Sequence, residues 1–94
     1  MNFFITGGSR GIGAGIVLEA VRAGHDVAFT YVRNEAAAAK VIAHAKEIRP
    51  DAKLKSYALD VADANAVERV GDAVLEDFEN VEVVVNCAGV NADN

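Results

Sequence analysis

Apolar residues along the chain fall into two alternating regimes. Four short runs, at 3–6, 27–32, 54–60 and 81–86, are rich in Phe, Tyr, Val, Ile and Leu and are bounded by turn-forming residues. Runs of this length and make-up read as buried strands. Between them the apolar positions spread to helical spacing. Ile12, Ile16, Val17 and Val21 mark a helix over 11–23, and Gly24 sits just past its end, where left-handed backbone is favoured. Asn34 is an N-cap for an alanine-rich helix over 35–48, which Pro50 closes because the residue before proline avoids helical angles. Asp63 caps a third helix that carries Val67, Val70, Val74 and Phe78 on one face.

The order is therefore β-α-β-α-β-α-β. Right-handed crossovers turn that order into an α/β domain with a parallel four-stranded sheet and three helices. The expected strand order is 3-2-1-4, with a switch point between strands 1 and 4. In such sheets ligands settle at the carboxyl ends of the strands that flank the switch. Strand 1 ends at Thr6-Gly7 and strand 4 at 86–89, so two glycine-bearing turns converge on one crevice.

Composition narrows the picture. Ninety-four residues make one small domain, and 52% are hydrophobic, above the roughly 45–50% usual for a soluble one. Some of that surface is expected to meet a partner. A net charge of −5 works against general nucleic-acid binding, because it repels a phosphate backbone. No apolar run is long enough to span a bilayer, and the first residues pass straight into a glycine turn without the layout of a signal peptide. A single cysteine, Cys87, excludes an internal disulfide and fits a reducing cytoplasm. His25 and His44 have no metal-ligand pattern around them and read as surface residues.

The densest chemistry is T-G-G-S-R-G-I-G at 6–13. Gly7 permits a sharp exit from the strand, and Gly11 lets backbone approach a pyrophosphate with no Cβ in the way. Gly13 lets the new helix pack closely. The helix start around Ile12 then offers free N–H groups and a partial positive charge to phosphates. An NAD site usually carries an acid at the end of strand 2, about 20 residues past the glycine turn, to hold the ribose 2′-OH. Tyr31 stands there instead, followed by Val32 and Arg33, and no carboxylate appears until Glu35. Arg10 and Arg33 are placed to take a 2′-phosphate through their forked donors, with Ser9 adding a hydroxyl. These residues point to NADP(H). Asp60 can accept from an adenine amine, with Val61 as an apolar wall. Asn86 can pin neighbouring backbone, while Ala88 and Gly89 leave room for the ribose.

The glycine turn, the D-V pair at 60–61 and N-C-A-G at 86–89 together resemble the short-chain dehydrogenase/reductase family. Within it, the sequence is most similar to the amino-terminal half of NADPH-dependent 3-oxoacyl-[acyl-carrier-protein] reductases. The resemblance covers all 94 residues and implies half of a doubly wound Rossmann fold. It also implies NADP(H) at the residues just named and a parent reaction on a 3-oxoacyl thioester of fatty acid biosynthesis. Cys87 departs from the family, which often has a second Asn there.

The family's Ser, and its Tyr followed four residues later by Lys, have no counterpart here. Tyr31 is followed at that interval by Glu35 and Tyr57 by Val61, and Ser9 and Ser56 belong to the phosphate turn and strand 3. In the family the active-site segment comes after the point this chain reaches. The resemblance thus implies a cofactor-binding half that is not catalytic alone. The β-branched V-E-V-V-V run would lie at a sheet edge, which invites association, so a homodimer or higher assembly through strand 4 or the uncovered face beside helix 3 is expected. An alternative is a non-catalytic interaction or sensor module on the same scaffold. A methyltransferase-like domain is disfavoured, since its ribose also commonly wants an acid at strand 2.

Overall fold

The computed structural model describes residues 1–87. Its elements are β1 (Asn2–Thr6), α1 (Gly11–Arg22), β2 (Asp26–Tyr31), α2 (Glu35–Ile48), β3 (Leu54–Ala58), α3 (Ala64–Phe78) and β4 (Val83–Asn86). The four strands form one parallel sheet in the order β3-β2-β1-β4. Alternation along the strands gives the sheet two faces. Ile5, Val27 and Phe29 meet Val17, Val21, Val41 and Ala45 of α1 and α2 on one of them. On the other, Ala28 and Phe4 meet Val74, Phe78 and Val70 of α3. The chain crosses to this second face because β4 lies beyond β1, on the far side of the switch point.

Helix ends follow the residues at them. The Asn34 side chain accepts from the Ala37 amide at 2.9 Å, and Asp63 accepts from Asn65 and Ala66, both at 3.1 Å. Gly24 has φ 97, which only glycine adopts without cost. Strand ends shift by a residue or two against the sequence pattern. Asn2 joins β1 because it is paired with Asp26, although it lies outside the apolar run. Val32 leaves β2 and is 42% exposed. Asp60 leaves β3 because the chain turns there, with the Asp63 amide bonded to its carbonyl at 2.9 Å. Val81 leaves β4 to pack against the α3 cluster. His44 is exposed as expected, whereas His25 is half-buried and stacks on Phe3 with ring centroids 4.8 Å apart. No helix among the described residues is long and apolar enough to cross a membrane.

Candidate functional site

The exit from β1 is stitched to the end of β2. The Gly7 amide donates to the Thr30 hydroxyl at 3.0 Å, and the Gly8 amide donates to the Thr30 carbonyl at 2.9 Å. Gly7 has φ 72 and Gly11 φ 55, so both bends use backbone that side-chain-bearing residues avoid. A methyl at Gly13 would stand 1.9 Å from the Gly7 carbonyl oxygen. Gly13 is therefore required by contact with the turn itself, more locally than by packing on the sheet. Gly8, to which the motif assigns no role, has a like constraint: a methyl there would come 2.7 Å from the Phe29 Cβ.

The turn delivers the chain to α1 with its first amides uncovered. Arg10 occupies the N-cap in extended backbone and makes no capping bond through its side chain. Both other helices have capped starts, at Asn34 and Asp63. First-turn amides without an intrahelical partner, at the positive end of the helix, suit an anion. Ile12 beside them is 60% exposed and Ser9 is half-buried. Arg10 and Arg33 are exposed, and among the described residues neither enters a salt bridge. Cations elsewhere are engaged, such as Arg49 at the end of α2 with Asp26 at 3.1 Å and Lys55 of β3 with Asp77 at 2.8 Å.

The remaining strand ends close the same side. Tyr31 is the last residue of β2, and its hydroxyl lies 3.5 Å from Glu35 Oε2. Burial, then the Glu35 charge and its hydrogen bond, push that hydroxyl up from its ordinary value. The Leu59 amide donates to the Tyr31 carbonyl at 2.8 Å, which carries the chain past β3 to Asp60 and Val61. Asp60 is exposed and already employed locally, its Oδ1 accepting from the Ala62 amide at 3.0 Å. Val61 is 45% exposed. Asn86 ends β4, and its side-chain oxygen accepts from the Thr6 hydroxyl at 2.7 Å. Cys87 is buried, and its amide donates to the Thr6 carbonyl at 3.0 Å. Ala88 and Gly89 lie outside the described residues.

The residues at 6–13, 30–35, 59–61 and 86–87 thus meet at the carboxyl edge of the sheet on both sides of the switch point. Residues 2–94 match the family model of the short chain dehydrogenases. The chain belongs to that family. Among its relatives are the 3-oxoacyl-[acyl-carrier-protein] reductase FabG of Staphylococcus aureus (strain N315), 36% identical over 92 residues, and the acetoacetyl-CoA reductase of Paracoccus denitrificans, 36% identical over 89. These alignments take in 96% and 95% of the chain but only 36% and 34% of the relatives. The chain spans about a third of their length. A solved short chain dehydrogenase from Burkholderia cenocepacia J2315, in complex with NADP, has a TM-score of 0.82 at 36% identity, over 89% of this chain and 34% of that one.

Two contributors had no sequence signal of their own. Thr30 reads as one more β-branched strand residue, and Thr6 as the end of an apolar run. Only pairing across the sheet gives their hydroxyls a task.

Proposed function

We propose that this chain is an NADP(H)-binding, amino-terminal portion of a short-chain reductase. The uncapped start of α1, opening directly off the glycine turn, is the observation that carries the reading. It leaves amides for the pyrophosphate at the place where α2 and α3 use side-chain caps. Gly7, Ser9, Gly11, Ile12 and Gly13 form the phosphate cradle, and Arg10 and Arg33 take the 2′-phosphate as bidentate donors. Tyr31, Asp60 and Val61 border the adenosine, while Asn86, Ala88 and Gly89 border its ribose. Of the two Asp60 oxygens one is used by the turn, which leaves the other for an adenine amine.

No tyrosine here is followed four residues later by lysine, so the chain supplies no acid/base pair for hydride transfer. Reduction of a 3-oxoacyl thioester on acyl-carrier protein belongs to a longer protein of which this is the cofactor-binding part. A nicotinamide cofactor and one buried cysteine suit the cytoplasm. Val84, 66% exposed on β4, and Leu75, 52% exposed on α3, favour self-association through strand 4 or the face beside α3.

Calorimetric titration with NADPH, NADH and adenosylmethionine tests the reading. NADPH is expected to bind tightest, and Arg33→Ala to weaken it selectively. Binding of none of the three would favour an interaction module instead. Sedimentation showing a clean monomer at tens of micromolar would remove the assembly.

A further inference from the structure

We infer that two copies of this chain join edge to edge through β4, the strands running antiparallel about a two-fold axis, and that the assembly closes at a dimer. The inference rests on the self-association proposed above and is independent of the cofactor.

The two edges of the sheet are β3 and β4, and they are built differently. At β3, Lys53 and Lys55 are exposed and reach across to Asp77. Charged side chains, lysine above all, discourage a further strand at an edge. In β4, Val83–Asn86 carry no charge, and Val84 is 66% exposed. The valines of β4 serve both faces of the sheet. Val83 lies beside Phe3, which floors an apolar groove walled by Ile12, Ile16, Ala20 and Ala23 of α1. Val84 lies beside Phe4 on the opposite face, which α3 covers only in part, since its Leu75 is 52% exposed. A strand edge and the apolar ground on either face of it therefore share one side of the molecule. A copy that lengthens the sheet covers all three surfaces, whereas one docked on a face covers a single one.

Charge argues against a meeting through α3. Glu68, Asp72 and Glu76 are exposed at intervals of four along that helix, whose one base is Arg69. A two-fold contact there would set Asp72 against its own copy and Glu68 against Glu76, a juxtaposition of like charges that opposes binding. In the edge-joined dimer α3 stands over Phe4 of β1 and Ala28 of β2. Its copy then lies about 14 Å or more away across two β4 strands, beyond the Debye length of about 10 Å at 0.1 M salt. Self-pairing about a two-fold consumes the β4 edge in both copies. The edges left are the β3 strands with their lysines, so growth stops at two.

Sedimentation velocity over a range of micromolar concentrations should show monomer and dimer and nothing larger. Val84→Lys gives β4 the guard that β3 already has, and should weaken the dimer about tenfold or more. Asp72→Lys should leave dimer affinity within about twofold. In the unmodified protein, hydrogen exchange of β4 amides should slow as concentration rises while that of β3 amides does not. This measurement needs no variant, so it decides the matter even where Val84→Lys lowers stability. A dimer that survives Val84→Lys and shifts with Asp72→Lys would overturn the edge joint and leave self-association standing. So would species larger than two, or a dimer whose β4 exchange is unmoved. A clean monomer throughout would overturn the self-association reading and this inference with it.

Discussion

Over one face of the sheet, α1 and α2 bury Val17 and Val21 against Ile5, Val27 and Phe29, all with no exposed surface. Over the other face, α3 buries only Val74 and Phe78, against Ala28. Polar ties supply much of the remaining attachment. Asp77 accepts from the Tyr57 hydroxyl at 2.7 Å and the Lys55 ammonium at 2.8 Å. Lys53 reaches the Asp77 carbonyl and lies over the Phe78 ring. The Asn2 amide donates to the Phe78 and Asn80 carbonyls, both at 3.0 Å. One layer is held by interlocked apolar side chains along two helices, the other by the carboxyl-terminal half of a single helix. Apolar packing is lost only when the layers part, whereas surface-accessible ties can open one at a time. The α3 layer is thus the part expected to open first.

The largest effect should come from the packed layer. Phe29→Ala is expected to cost about 3–5 kcal/mol, close to the whole stability of a small domain, as measured by urea unfolding. Phe78→Ala should cost less and expose mainly α3 amides to hydrogen exchange. Equal, global losses from both would erase the distinction between the layers. Gly13→Ala follows, at about 2–3 kcal/mol, because backbone must move to admit the methyl. Its loss should also appear in cofactor titrations, since the displaced group is the phosphate turn.

Weakening the polar ties should have a smaller effect, confined to α3. Tyr57→Phe removes one hydrogen bond and is expected to cost about 1 kcal/mol. The pH response has two limbs. Hydrogen bonds from Lys55 and Tyr57 hold the Asp77 carboxyl below the usual carboxylate range. Its contribution is present above about pH 4 and fades as pH falls through the lowered value. Burial and the Asp77 bond push the Tyr57 hydroxyl up. That contribution is present below about pH 10 and fades as pH rises further. Exchange protection of α3 should drop at both extremes, and Tyr57→Phe should abolish the alkaline limb.

The smallest effect has the opposite sign. Glu79 has φ 67 and ψ −48, and the Asn80 amide closes a tight turn onto the Phe78 carbonyl at 2.7 Å. A residue with a Cβ is strained in such a turn. Glu79→Gly should stabilise the protein by about 1 kcal/mol, read as a shift in urea midpoint with cofactor affinity unchanged. A destabilised variant would mean that the turn is not a cost to the α3 layer.

Much of this architecture could be read along the chain because its signals are local. The periodicity of Ile16, Val17 and Val21, the caps at Asn34 and Asp63, and Gly24 past the end of α1 each depend on a few neighbouring residues. The strand order followed from them through the handedness of crossovers. Strand ends were less legible, because whether Asn2 or Asp60 is paired depends on the strand beside it. The glycine turn announced itself, but the reason for Gly8 did not, since Phe29 lies far along the chain.

The sequence by itself determined the order of elements and a glycine turn at the switch point, since backbone sterics and hydrophobic spacing act over short range. Most of each helix's buried face followed too, but Ile12 and Val67, expected on those faces, are exposed because the sheet does not reach the first turn of either helix's apolar stripe. Tertiary structure decided which side chains do the holding. Thr6 meets Asn86 across 80 residues, and Thr30 takes two turn amides because parallel pairing brings β1 and β2 into register. The α1 start is left uncapped while the strand ends around it are tied. Those choices depend on contacts between distant residues, and only the closed sheet makes them.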